Sequence, residues 1–114
     1  MDAEELVRAV FDRVHASDPT VSDLYSDDAV RYGHDGRVQR GRAAIAEFYQ
    51  SWFPARPPFP EIEGLLVNLP YVGALLRLPE GEGQPRWCLD LFEIADGAIR
   101  SLRVMLETTA ATGS

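Results

Sequence analysis

The chain has 114 residues, enough for one hydrophobic core and too few for two, so it is read as a single domain over residues 1–114. Its 46% hydrophobic and 25% charged fractions are those of an ordinary globular protein. A formal charge of −7 and a pI near 4.7 exclude nucleic acid as an expected partner, because phosphate binding needs a basic surface.

No apolar run is long enough to cross a bilayer, so no membrane partner is expected. Asp2, Glu4 and Glu5 have the wrong sign for a secretory leader, which makes the cytoplasm the expected compartment. The single cysteine, Cys88, leaves no internal disulfide and no multi-cysteine metal site. All 11 basic residues are arginine, which removes Schiff-base chemistry through a lysine.

In chain order, Ala3–Ala16 is predicted as a helix, with Leu6, Val7, Val10, Phe11 and Val14 on one stripe. Asp2 and Glu5 have the spacing of a capping box. Ser17-Asp18-Pro19 ends this helix and starts a second, short one running to about Tyr25, with Asp18 as N-cap. Ser26-Asp27-Asp28 then turns the chain into a strand, Ala29–His34. Val30, Tyr32 and His34 share one face of that strand, and Ala29, Arg31 and Gly33 the other; the first set is expected to point inward.

A glycine-rich turn follows, and after Gly41 the period becomes helical. Ile45, Phe48, Tyr49, Trp52 and Phe53 form a broad apolar stripe ending at Pro54. Ala55–Pro60 is too rich in proline for regular structure. Glu61–Leu69, Tyr71–Leu78, Arg86–Ala95 and Ala98–Glu107 read as strands. A loop over Pro79–Pro85 and a tight turn at Asp96-Gly97 join the last three, and Thr108–Ser114 is expected to fray, leaving an ordered core of about 3–107. Helices segregated from a meander of strands make an α+β domain, and a helix as apolar as Ala43–Phe53 should lie against a curved sheet with a cavity between the layers.

Three segments resemble the ketosteroid-isomerase-like superfamily, also called SnoaL-like or nuclear-transport-factor-2-like: Leu24–Val30 (LYSDDAV), Gly41–Tyr49 (GRAAIAEFY) and Cys88–Met105 (CLDLFEIADGAIRSLRVM). The resemblance implies a conical fold, three N-terminal helices packed in a curved antiparallel sheet that encloses an apolar pocket. Steroid isomerases of this family use a strand aspartate as general base, with a tyrosine and an aspartic acid kept neutral by apolar surroundings as the oxyanion hole. Asp90 matches the neutral aspartic acid. The base position falls on Tyr32 or Gly33, the catalytic tyrosine falls on Val10 or Phe11 and is missing, and Tyr25 and Tyr49 match two supporting tyrosines. One of three catalytic groups is kept. Family resemblance also implies a homodimer through the outer sheet face.

Asp90 is the leading candidate because both faces of its strand are apolar, where a carboxylate has a high desolvation cost; the bland alternative is a solvated aspartate on an alternating strand. His34 is the candidate base and Tyr32 the candidate substrate-orienting donor, against readings of turn chemistry and of a satisfied core tyrosine. Phe11, His15, Tyr49, Trp52, Cys88, Phe92, Leu102 and Val104 are the expected substrate-binding residues. His34, Asp35 and Asp90 do not make a closed metal set, and the glycines lack phosphate-loop spacing, so neither metal nor cofactor is expected. The expected function is acid–base catalysis on a hydrophobic small molecule: isomerisation, cyclisation, dehydration or epoxide opening, in a natural-product setting. The alternative is a non-catalytic ligand-binding or dimerisation module of the same fold.

Overall fold

The structure, a computed structural model, describes residues 1–57, 59–79 and 85–107. Most of the loop expected at Pro79–Pro85 and all of Thr108–Ser114 lie outside the described residues.

Helix α1 spans Ala3–His15 and buries the predicted stripe of Leu6, Val7, Val10, Phe11 and Val14. Its capping box is formed in both directions: the Asp2 carboxylate accepts from the Glu5 N–H, and the Glu5 carboxylate accepts from the Asp2 N–H. The second helix is a 3-10 helix, Pro19–Leu24, whose cap Asp18 accepts from the backbone and the hydroxyl of Thr20. Helix α2, Arg42–Trp52, buries Ile45 and Tyr49 and passes at Phe53–Ala55 into one 3-10 turn, where Pro54 can no longer donate.

Six strands form one sheet: β1 (Tyr25–Tyr32), β2 (Val38–Arg40), β3 (Glu61–Asn68), β4 (Tyr71–Leu78), β5 (Arg86–Ala95) and β6 (Ala98–Leu106). Their order is β2-β1-β6-β5-β4-β3. The architecture is α+β, with the helices packed on one face of a curved sheet. Several features differ from the sequence reading. Strand β1 starts at Tyr25, so Ser26-Asp27-Asp28, expected as a turn, is strand, and it ends at Tyr32, which leaves His34 in the turn that follows. The glycine-rich stretch after β1 contains a strand, β2, which pairs Val38 with Tyr32. The sheet is not wholly antiparallel either: β1 runs parallel to β6, with Arg31 opposite Leu102. Such a pairing joins segments some seventy residues apart, as a connection through the helical layer permits.

The register decides what faces inward. Cross-strand pairs Val72–Phe92, Ala74–Asp90 and Leu76–Cys88 lie on the buried face of β4 and β5, and Asp90–Val104 and Phe92–Leu102 carry it into β6. On β1 the expected faces are exchanged: Ala29 is fully buried and Arg31 points toward the helices, whereas Tyr32 lies on the outer side beneath the Arg103 guanidinium, 4.0 Å from its ring centre. The small side chain of Ala29 gives the helical layer room on that face, and the bare Gly33 makes room for its own hairpin, where a Cβ would meet Asp35, Arg31 and Arg37. On β6 the apolar set Leu102, Val104 and Leu106 faces the helices, so the outer side of this strand carries Arg103 and Met105. At the β5–β6 turn, Asp96 and Gly97 both have positive φ (53° and 74°), the backbone of a two-residue hairpin turn with right-handed twist.

Candidate functional site

Between the helices and the sheet lies a cavity of about 480 Å³. Helix α1 contributes Val10, Phe11 and Val14 to its wall, α2 contributes Phe48, Tyr49 and Trp52, and the sheet contributes Leu76, Cys88, Asp90, Leu102, Val104 and Leu106. Exposed residues of the β1–β2 turn, His34, Asp35 and Arg37, form its mouth, and the buried side chains form its depth. Aromatic packing stiffens the α2 wall: Phe48 stacks on Trp52 at 5.8 Å, and Tyr49 on Phe53 at 5.7 Å.

Asp90 is the charged group at depth, 8% exposed. Burial raises its pKa from 3.8 to about 6, against the smaller opposing effects of the Cys88 thiol and the Arg31 charge. The Cys88 Sγ–H donates to Asp90 Oδ1 at 3.4 Å. Among the described residues no side chain or backbone donor reaches Oδ2. Burial also raises the Cys88 pKa, with the neighbouring Asp90 adding to it, so this thiol is a donor and not a nucleophile. A second polar pair lies nearby: the hydroxyls of Tyr25 and Tyr49 bond each other at 2.8 Å, and burial raises both pKa values.

Arg31 enters the cavity from β1. Its Nη1 donates to Gln39 Oε1 at 3.0 Å, and its guanidinium carbon sits 3.7 Å over the Phe48 ring centre. At the mouth, the Asp35 carboxylate accepts from the Arg37 N–H at 2.9 Å, which holds its pKa low, and pairs with the Arg37 side chain at 3.6 Å. No group of three or more histidine, cysteine or acidic side chains with metal-binding proximity exists among the described residues.

A family model, that of the SnoaL-like domain, matches the chain over residues 7–102. The chain belongs to the SnoaL-like domain family. Solved structures with the same fold include a candidate polyketide cyclase from Sinorhizobium meliloti, with a TM-score of 0.79 and 23% identity, covering 92% of this chain and 97% of that one. A protein from Sphaerobacter thermophilus matches with a TM-score of 0.77 and 22% identity over 95% of this chain and 98% of its own. A candidate SnoaL-like polyketide cyclase from Jannaschia sp. CCS1 matches at 0.74 and 19% over 93% and 85%. At these identities the likeness is one of fold. Comparison with curated proteins yields no match.

Within this SnoaL-like domain, the cavity brings together eight of the residues singled out from the sequence: Phe11, His34, Tyr49, Trp52, Cys88, Asp90, Leu102 and Val104. Three lie elsewhere. Tyr32 is on the outer face of β1, for the register reason given above. His15, the last residue of α1, bonds through Nε2 to the Pro60 carbonyl and packs its ring on Phe59 at 6.0 Å. Phe92 is fully buried beneath the wall, edge-on to Phe11. Sequence reasoning missed Arg31, because a charged residue on an alternating strand is ordinarily assigned to water. The signal was the pair of small neighbours, Ala29 and Gly33, at the two positions flanking it on the same face.

Proposed function

We propose that this SnoaL-like domain is an enzyme that acts on a hydrophobic small molecule by acid–base chemistry, with Asp90 as the proton-transferring group. The observation that carries this reading is a carboxyl group at the depth of an apolar cavity, with one oxygen held by Cys88 and the other left toward the cavity. Near pH 6 both its forms are populated. The acid form donates to a developing oxyanion or a leaving oxygen, and the carboxylate form accepts a proton from carbon or from water. His34 lies at the mouth, exposed to solvent. Arg31, rather than the outward Tyr32, is the group placed to orient a substrate oxygen. Isomerisation, cyclisation, dehydration and epoxide opening all fit this equipment.

A second reading, a non-catalytic ligand-binding module, is favoured by one specific observation. The α1 wall presents only carbon, from Val10, Phe11 and Val14, and the hydroxyl of Tyr49, which lines the cavity, already bonds that of Tyr25. The two readings separate in a panel of polycyclic enones, phenols and epoxides assayed for turnover and, by Trp52 fluorescence, for binding. Under the enzyme reading Asp90→Asn lowers turnover by about 100-fold or more while binding of neutral ligands stays within a few-fold. Turnover unchanged in Asp90→Asn, or binding without turnover in the wild type, sinks the acid–base role and leaves the binding module.

A further inference from the structure

The cavity carries more positive charge than the chain around it. In a protein of net charge −7, three of the 11 arginines, Arg31, Arg37 and Arg86, line this one space, against two acids, Asp35 and Asp90. The three arginines are not equivalent. Arg37 is paired with Asp35 at the mouth, and Arg86 reaches out of the cavity to donate through Nη2 to the Glu107 carbonyl at 3.0 Å. Arg31 forms no salt bridge among the described residues. What it has instead is orientation. The Phe48 ring fixes the plane of the guanidinium, and Gln39 takes one N–H of Nη1. A guanidinium carries five N–H donors in a rigid fork, so most of Arg31's donors are left over. A Cβ at Gly33 would stand 2.9 Å from Asp35 Oδ1 and 3.2 Å from Arg31 Nη1, so the bare glycine lets both side chains lie where they do.

A half-buried guanidinium that is oriented and makes no ion-pair contact among the described residues, beside a wall of Phe11, Trp52, Leu102 and Val104, matches an amphipathic anion. We infer that the ligand class of this cavity is an apolar molecule bearing a single carboxylate, which Arg31 receives through its free donors while the hydrocarbon body lies against those side chains. This rests on the cavity being the ligand site, as proposed above, and deepens it by naming the substrate class. The placement also sets the reacting region: a carboxylate on Arg31 directs the adjoining carbons of the ligand toward Asp90, the other charged group inside.

The test compares acids with their own methyl esters on two skeletons, decanoate and anthracene-2-carboxylate, at about pH 5.5, where the ligand carboxylates are largely ionised and Asp90 is mostly protonated. Affinities are measured by calorimetry for wild type, Arg31→Met, Arg31→Lys and a cavity-filling Val104→Trp variant, each checked for folding by circular dichroism. In the wild type each acid should bind at least about tenfold tighter than its ester. Arg31→Met should abolish that preference, and Arg31→Lys should restore part of it. Esters binding as tightly as acids, or an acid preference that survives Arg31→Met, overturns the inference. Val104→Trp tells this apart from failure of the underlying reading: ester binding lost in that variant keeps the cavity as the ligand site even when the carboxylate preference is absent. If no acid or ester binds the wild type, both readings fall.

Discussion

Two polar pairs are buried between the helices and the sheet, and they have opposite characters. Tyr25 and Tyr49 bond hydroxyl to hydroxyl at 2.8 Å, one from β1 and one from α2, with one hydroxyl donating and the other accepting. Burial pushes both pKa values up, so the pair is neutral and stays neutral. It ties a helix to a strand. Cys88 and Asp90 sit two residues apart on one strand and tie nothing together. Their contact satisfies one oxygen of a carboxyl group that lines the cavity, and burial raises the carboxyl only as far as about 6. The desolvation that makes the tyrosines inert makes the aspartate responsive, because its ordinary pKa lies below neutrality and theirs above it. One pair is a structural bond; the other is a group held at a cost to stability.

That difference in sign is the largest effect to break. A carboxyl whose pKa rises from 3.8 in the unfolded chain to about 6 in the fold opposes folding by about 3 kcal/mol once ionised. Because the folded value is the higher one, the fold binds the proton more tightly. The cost is absent below 3.8, grows as pH rises from there to about 6, and is constant above. Asp90→Asn has no such ionisation. Relative to wild type it should therefore gain up to about 3 kcal/mol between about pH 4 and about pH 7. Urea unfolding at both pH values reads this directly, and a difference that does not change with pH means Asp90 titrates normally.

The tyrosine pair should respond with the opposite sign and no dependence on pH in the same range. Tyr25→Phe leaves the Tyr49 hydroxyl buried without its partner and should cost about 2 kcal/mol. Adding Tyr49→Phe removes the orphan, so the double variant should lie closer to wild type than the sum of the singles. Additive losses in that cycle, or a stability gain in Tyr25→Phe, would show that the two hydroxyls are not coupled.

Much of this arrangement was legible in the sequence, to a degree that depended on how local its cause is. The capping box at Asp2 and Glu5, the Asp18–Pro19 start and the Asp96-Gly97 turn depend on neighbouring residues, and all form where expected. Strands β4 and β5 have their expected bounds, Tyr71–Leu78 and Arg86–Ala95. Asp90 was findable because its neighbours are apolar on both sides, so either orientation buries it. Strand β2 was hidden because its three residues gain their ladder from Tyr32 and Val30, not from a pattern of their own. The inward face of β1 was misassigned for a related reason. Alternation gives two faces but does not say which is inside, and the parallel pairing with β6 that decides it is a tertiary contact. Arg31 was lost with that choice, and Tyr32 was gained by it.

The smallest effect bears on how the two members of the Cys88–Asp90 pair divide the work. The thiol's own pKa is raised by burial, so it remains protonated, and a donor, throughout the range in which Asp90 titrates. As a donor to Oδ1 it favours the ionised carboxyl and holds the Asp90 pKa below what burial alone would give. A thiol is a weak donor, and its contribution is about 0.5 kcal/mol. Cys88→Ala removes it, so the Asp90 pKa should rise a little further above about 6, whereas Cys88→Ser, with a stronger donor at the same position, should lower it. A titration of the Asp90 side-chain carboxyl carbon by NMR resolves shifts of this size. Opposite movements of the two variants about the wild type identify the thiol as the group that sets where Asp90 titrates. Movement in the same direction would mean that side-chain volume, through water admitted beside the carboxyl, governs it instead, and the pair would then be a packing contact.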